Sequence, residues 1–210
     1  MAEDLNGRLL VASPNLNDGH FLRSVVLVVR HDEEGAFGLV TNRPTERRLR
    51  NLDLQTAEKL EIRDDDLLYR GGPVDGPLLA LHSIPGIGAP CGPGDDQSSI
   101  HLQDNPAEAF GEMSLKFDPS PIWLTGDQEH VRVLARRRDA TVRFFSGYSG
   151  WGPRQLDYEL SVGGWLIADA DVEIVFGDVD HSWDLAVKRC GRDVLGQIDP
   201  SISFGDPNLN

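Results

Sequence analysis

Short apolar runs separated by turn residues occupy most of the chain. Residues 24–30 are apolar on both faces, the pattern of a strand at the centre of a sheet. The acidic residues that follow, together with Gly35, predict a hairpin into a second strand over 36–41. Further strands are predicted at 8–12, 67–70, 78–82, 98–102, 122–124, 141–145, 165–168 and 172–176.

Helical periodicity is found in fewer segments, which predict helices over 52–60, 128–137, 153–162 and 182–190. Asp127 is placed to cap the second helix, Gly163 and Gly164 to stop the third, and Gly191 to close the last. Strands dominate, hairpin signals are present, and helices alternate with strands only in part. The pattern therefore predicts an α+β fold with a mixed sheet and several packed helices.

A stretch rich in glycine and proline divides the apolar pattern at 85–94, where seven of ten residues are Gly or Pro. Apolar strands resume on both sides of it, so we interpret it as a loop within one domain. We predict a single compact domain over 1–198. The polar residues 199–210 are predicted to form a flexible tail.

Acidic residues outnumber basic ones by 34 to 20, which gives a net charge of −14. Such a surface repels phosphate backbones and anionic lipid, so we expect neither direct nucleic-acid binding nor a membrane partner. The acidic N-terminus lacks an apolar leader, and we expect a cytoplasmic protein. Cys91 and Cys190 are then expected to remain reduced and unreactive.

Catalytic and metal-binding patterns are weak. Ser149 lies in G-Y-S-G-W, where Trp151 replaces the final glycine of the nucleophile pattern G-x-S-x-G. The six histidines lack metal-binding spacing, and no nucleotide-binding motif is complete. We therefore predict no catalytic set, no metal and no cofactor.

Charged clusters have two interpretations each. Six carboxylates between 165 and 186, without Lys or Arg, form either a solvated face or an electronegative groove. Arginines gather in two groups: Arg132, Arg136, Arg137, Arg138 and Arg143 in one, and Arg43, Arg47, Arg48 and Arg50 in the other. The first group is either a helix end with its solvated face or a patch for a partner or nucleic acid.

The segment 146–156 is the most informative. Its glycines, with Pro153 as a first helical residue, predict a turn from strand to helix. Leu156 and Leu160 are spaced to face the core, while Gln155 and Glu159 share a neighbouring helix face. The turn is either structural, with its aromatic residues in the core, or a loop that faces a ligand.

Four blocks of sequence resemble the AlgH/YqgE family of bacterial proteins. The segment GYSGWGPRQLDYEL at 147–160, followed by a Trp-Leu strand, is similar to that family's signature. GRLLVASP with FLRSV, GAFGLVTNRP, and YRGGPV with Leu81 and His82 are similar to its other blocks. Arg154 departs from the family's glycine, and 85–121 and the residues after Gly191 match poorly.

The resemblance implies a compact α+β fold with bulged sheets and no established enzymatic activity; one member's name reflects a proposed role in transcriptional regulation. Our leading hypothesis is a non-catalytic binding or regulatory protein that recognises a small molecule or a protein near the glycine-rich turns. Alternatives are a weak hydrolase-like enzyme using Ser149 or a histidine, and a transcriptional regulator acting indirectly. Ligand and oligomeric state stay open. The candidate groove residues are Asn42, Arg43, Gly71, Gly72, Tyr148, Trp151, Gln155 and Glu159.

Overall fold

The computed structural model describes residues 4–16, 19–51, 66–84, 87, 114–117 and 122–198. These residues contain ten strands and four α-helices, with a short 3-10 turn at Leu49–Asn51. The strands are β1 (Arg8–Ala12), β2 (Val25–Asp32), β3 (Gly35–Val40), β4 (Pro44–Arg48), β5 (Leu67–Arg70), β6 (Val74–His82), β7 (Ser114–Phe117), β8 (Ile122–Thr125), β9 (Val142–Trp151) and β10 (Trp165–Asp169). The helices are α1 (Gln128–Ala135), α2 (Gln155–Ser161), α3 (Val172–Phe176) and α4 (Val179–Ile198).

The sheet has the order β10-β1-β2-β3-β9-β6-β8-β7, and β5 joins it beside β9 with β4 as its own neighbour. The β5–β9 pair is parallel and the other pairs are antiparallel. Register shifts interrupt three of the pairings, β2–β3, β4–β5 and β6–β9. The mixed, bulged sheet with packed helices confirms the predicted α+β class.

Strand β9 is longer than predicted. The expected turn after Phe145 is wrong, because the strand continues through the glycine-rich segment to Trp151. Gly147, at φ +75°, lies where an added Cβ would be 2.6 Å from the carbonyl oxygen of Val74. The glycine here permits strands to pack closely rather than the chain to reverse.

Helix α1 begins as predicted, with the Asp127 side chain accepting the His130 N–H at 2.9 Å. Helix α2 ends as predicted, where the Gly163 and Gly164 N–H groups return to the carbonyls of Leu160 and Glu159. Its start differs. Pro153 is not the first helical residue, because the chain first passes through Arg154, which adopts a left-handed φ of +61°.

Two predictions near the C-terminus are wrong. Residues 172–176 form helix α3 rather than a strand, because Asp171 caps the N–H groups of Glu173 and Ile174. Helix α4 also continues past Gly191, where a strict helix end was expected. Gly191 is exposed, and a glycine within a helix costs only about 1 kcal/mol.

Strands β4 and β7 were not predicted, and β6 begins four residues before the predicted 78–82. The predicted helix 52–60, the strand 98–102 and the tail 199–210 lie outside the described residues, as does the loop 85–94 except Ile87. No helix of the described part combines the length and apolar content needed to cross a bilayer.

Apolar residues pack on both faces of the sheet. One face buries Leu27, Phe37 and Phe145 against α3 and α4. The opposite face of β1–β3 buries Val26 and Val28 with Leu156 of α2. The third cluster lies beneath α1. Helix α2 therefore covers the half of the sheet that contains Ser149–Trp151, the C-terminal end of β9.

Candidate functional site

Gly71, Gly72 and Tyr148 meet where the link between β5 and β6 crosses β9. A Cβ added to Gly72 would lie 2.2 Å from the carbonyl carbon of Tyr148, and one added to Gly71 would lie 2.2 Å from the oxygen of Gly147. The Tyr148 ring is buried edge-on against Phe37 at 5.4 Å, and burial raises the pKa of its hydroxyl. The crossing requires residues without a Cβ because backbone packs on backbone.

Ser149 belongs to the same crossing. Its side chain is fully buried, and its hydroxyl donates to the Gly71 carbonyl at 3.1 Å. No histidine of the described residues forms a hydrogen bond with this hydroxyl. A serine nucleophile needs a base that receives its proton, so the geometry here fits a structural serine.

Glu159 organises the next part of the signature. Its Oε2 accepts the indole N–H of Trp151 at 2.9 Å and that of Trp165 at 2.8 Å. Its Oε1 accepts the Gln155 amide at 3.0 Å, and Gln155 in turn accepts the Gly152 N–H at 3.1 Å. One carboxylate thus fixes helix α2 to the ends of β9 and β10.

Phe21 completes an aromatic cluster with these two indoles. Its ring centroid lies 6.0 Å from that of Trp151 and 5.3 Å from that of Trp165, and the two tryptophans are 6.1 Å apart. Phe21 was not among the predicted site residues. The signal that includes it is the FLRSV block, which was used only for the resemblance.

The residues that follow Phe21 bring in Asn42 and Arg43. The carbonyl of Leu22 accepts the Arg43 guanidinium, and the carbonyl of Arg23 accepts the Asn42 amide at 3.0 Å. Asn42 also accepts the Val25 N–H at 3.0 Å. The segment 21–24 therefore joins two predicted groups, Asn42 with Arg43 and the tryptophan–Glu159 group.

Arg23 attaches the same segment to helix α4. It adopts a left-handed φ of +55°, and its guanidinium stacks 4.6 Å from the Trp183 ring centroid. Both oxygens of Asp184 accept from this guanidinium, at 3.1 and 3.0 Å. A left-handed conformation is costly for arginine, so these contacts hold the segment in a fixed shape.

Exposed apolar side chains are found in this fixed segment and on helix α2 with its C-terminal end. Tyr158, Val162 and Leu22 are 68%, 61% and 50% exposed, more than any other exposed large hydrophobic residue of the described part. Successive helical residues are about 100° apart, which places Val162 and then Tyr158 next to Gln155 on the outer surface of α2. We call Leu22, Tyr158 and Val162 the apolar face.

Arg143 was predicted to belong to a surface basic group, and this is wrong. It is only 7% exposed, and burial lowers the pKa of its guanidinium. The guanidinium donates to the carbonyls of Thr41, Val175 and Gly177 and lies 4.7 Å from the ring centroid of Tyr69. It fixes the C-terminal end of α3 to the sheet.

His82 is another buried polar residue, and it was not among the candidate groove residues. Its Nδ1 accepts the Ile84 N–H at 3.3 Å, whereas its Nε2 has no hydrogen-bond partner among the described residues. Burial lowers the pKa of its imidazole to about 4. Across the described ranges, no group of three or more His, Cys, Asp or Glu residues is arranged to hold a metal ion.

Comparison with known proteins places the chain among sequences of similar length. The model of a family described as AlgH-like matches residues 9–195. A UPF0301 protein from Ruegeria pomeroyi is 34% identical, with 91% of this chain and 95% of that protein covered. One from Cytophaga hutchinsonii is 30% identical, with 97% and 98% covered.

Two solved structures share the fold. The solution structure of the AlgH protein from Pseudomonas aeruginosa matches with a TM-score of 0.65 at 23% identity, covering 98% of each chain. A crystal structure of a Corynebacterium diphtheriae protein matches with a TM-score of 0.58 at 20% identity, covering 93% of this chain and 88% of the other.

Proposed function

The chain belongs to the AlgH-like family, and we propose that it is a non-catalytic binding protein that recognises a partner protein through the apolar face. The observation that carries this proposal is the position of Leu22, Tyr158 and Val162. Among the described residues, they are the most exposed large hydrophobic side chains. Leu22 follows Phe21 of the aromatic cluster, and Tyr158 and Val162 belong to α2 and its C-terminal end, which Glu159 attaches to the indoles of that cluster. Exposed apolar and aromatic residues on a fixed support are typical of the centres of protein interfaces.

Rigidity supports a role in binding. Leu22 belongs to the segment 21–24, in which Arg43 binds the Leu22 carbonyl and Asn42 binds the Arg23 carbonyl. The side chain of Arg23, the residue after Leu22, stacks on Trp183. A surface that is ordered before binding loses less conformational entropy when a partner arrives. In this proposal Trp151, Gln155 and Glu159 do not touch the partner but position α2 beneath it.

The chemistry of the buried polar groups favours binding over the hydrolase-like alternative. The Ser149 hydroxyl donates a hydrogen bond to a backbone carbonyl, and the His82 imidazole is fully buried. Neither side chain is placed to meet a substrate at the surface. An indirect role in transcription is compatible with this proposal, because it requires only a protein partner.

Site-specific crosslinking tests the proposal. A photo-crosslinking amino acid is introduced at Leu22 of the full chain, and the protein is irradiated in an extract of the cells that produce it. Val133 on α1, which is 44% exposed, provides a matched apolar control position. We expect a discrete adduct from position 22 that unlabelled protein competes away, and none from position 133. Equal labelling from both positions, or none from position 22, refutes the proposal.

A further inference from the structure

We propose that the partner's binding segment is acidic and extends from the apolar face onto three arginines, which lie in β4, in β5 and immediately before β4. This inference rests on the proposed function of the apolar face and adds the chemistry of the partner. The arginines are Arg43, Arg47 and Arg70, which we call the arginine face. Arg47 and Arg70 are exposed, and Arg43 is half-buried.

The arginine face differs from several other arginines of the described residues in its partners, although Glu46 adjoins Arg47 on β4. None of its three side chains forms an ion pair with a carboxylate of the described residues. Arginines on other elements do form such pairs: Arg8 with Asp169, Arg23 with Asp184, Arg30 with Asp32 and Glu34, Arg132 with Glu129, Arg137 with Asp139, and Arg189 with Asp171 and Glu173. Within the described ranges, the positive charge of this face is therefore not neutralised by an ion pair, and it suits an outside anion.

Arg43 and Arg70 also lie directly opposite each other. The Arg70 N–H donates to the Arg43 carbonyl at 2.8 Å, which aligns the two residues beside the antiparallel β4–β5 pair. Like charges in this arrangement destabilise a strand pair. Backbone oxygens orient the guanidinium groups instead, that of Leu22 for Arg43 and that of Gly72 for Arg70. A carboxylate bound between the two arginines would remove their repulsion.

The arginine face adjoins Leu22 of the apolar face, because Arg43 donates to the carbonyl of Leu22 itself. Strand β4 has β5 as its one hydrogen-bonded neighbour among the described strands, so its outer side suits an extended segment. The net charge of −14 repels a long polyanion as a whole. A short acidic peptide meets mainly the local arginines, because charges beyond about 8 Å are screened at physiological salt.

Fluorescence anisotropy with a defined probe tests this inference. The probe is a labelled peptide that alternates aspartate with valine, and a lysine–valine peptide is its control. The full chain is compared with the double variant Arg47→Glu and Arg70→Glu. A second double variant, Arg138→Glu and Lys188→Glu, makes the same charge change at exposed positions elsewhere. Circular dichroism verifies that both variants are folded.

We expect the acidic peptide to bind the unmodified chain, and to bind the arginine-face variant roughly tenfold more weakly. The control variant should bind within about twofold of the unmodified chain, and binding should weaken as salt is raised. Equal losses in both variants, or tighter binding of the lysine peptide, overturn the inference. Equally tight, arginine-dependent binding of duplex DNA also overturns it, since the face would then recognise phosphate.

The two proposals can fail separately. If the affinity for the acidic peptide is unchanged in the Arg47→Glu and Arg70→Glu variant while position 22 still forms its adduct, the inference of an acidic partner is wrong. The proposed binding at the apolar face is then retained. If position 22 forms no adduct, the proposed function fails whatever the peptide does. Loss of the position-22 adduct in the Arg47→Glu and Arg70→Glu background supports both.

Discussion

Replacing Glu159 with methionine removes the acceptor that Trp151 and Trp165 share, while it preserves the length of the side chain. Two indole N–H groups and the Gln155 amide then lose their partner. An unsatisfied buried donor costs about 1–3 kcal/mol. Leaving both indole N–H groups without an acceptor therefore costs about 2–6 kcal/mol. The substitution also removes the cost of desolvating a half-buried carboxylate, and this gain offsets part of the loss.

We expect Glu159→Met to lower the free energy of unfolding by about 3 kcal/mol. For a domain of this size, that corresponds to a Tm lower by roughly 6–12 °C. Glu159→Gln should cost only about 1 kcal/mol, because one amide oxygen can still accept both indoles while its NH₂ group faces the Gln155 amide. Gln155→Ala, at an exposed position, should cost less than about 1 kcal/mol.

Urea unfolding followed by tryptophan emission and by far-ultraviolet circular dichroism measures these differences. The emission of folded Glu159→Met should also shift, because the indoles change their hydrogen bonding. The reasoning is refuted if Glu159→Met unfolds within about 0.5 kcal/mol of the unmodified chain. It is equally refuted if Gln155→Ala costs as much as Glu159→Met, since the indole contacts would then not be the source of the loss.

Three other positions give independent tests. Arg143→Lys should cost about 3 kcal/mol in urea unfolding, because a single ammonium group cannot reach three buried carbonyls; a loss below about 1 kcal/mol would contradict this. Arg154→Gly should raise stability by about 0.5 kcal/mol, as relief of the left-handed conformation exceeds the entropy gained by the unfolded chain, whereas Arg154→Val should lower stability. His82 has a pKa lowered from 6.5 to about 4, so its contribution is complete above pH 6.5 and is lost as the pH falls toward 4. In His82→Leu, this part of the pH dependence of the urea midpoint should disappear, and an unchanged dependence would assign it to other groups.

Local signals were sufficient for elements whose neighbours in sequence are also their neighbours in space. The β2–β3 hairpin, the N-cap of α1 and the C-terminal end of α2 are of this kind, as is the pairing of Gln155 with Glu159 across one helical turn. In α3, the run Val172–Phe176 has strand-forming residues, yet the Asp171 cap determines a helix. A capping residue can thus override a short apolar run.

Long-range contacts were not visible in the sequence. Arg143 resembles its surface neighbours in sequence, and only the arrival of the Val175 and Gly177 carbonyls buries it. Similarly, nothing local indicates that the 21–24 segment joins Asn42 to the tryptophans. The candidate residues were selected through glycine and aromatic patterns, and the structure shows which of them share contacts.

Strand β9 has a consequence for how the chain is made. It pairs with β3 through Ser149–Trp151 and with β5 and β6 through its earlier residues, so both halves of the sheet are built against it. Its partners are synthesised at least about 60 residues earlier and must wait for it, and such distant pairings slow folding. Until residue 151 has left the ribosome, the two halves of the sheet lack the strand that joins them. The chain is therefore expected to fold as one cooperative unit late in translation, and cutting it between β6 and β9 should leave no fragment that folds independently.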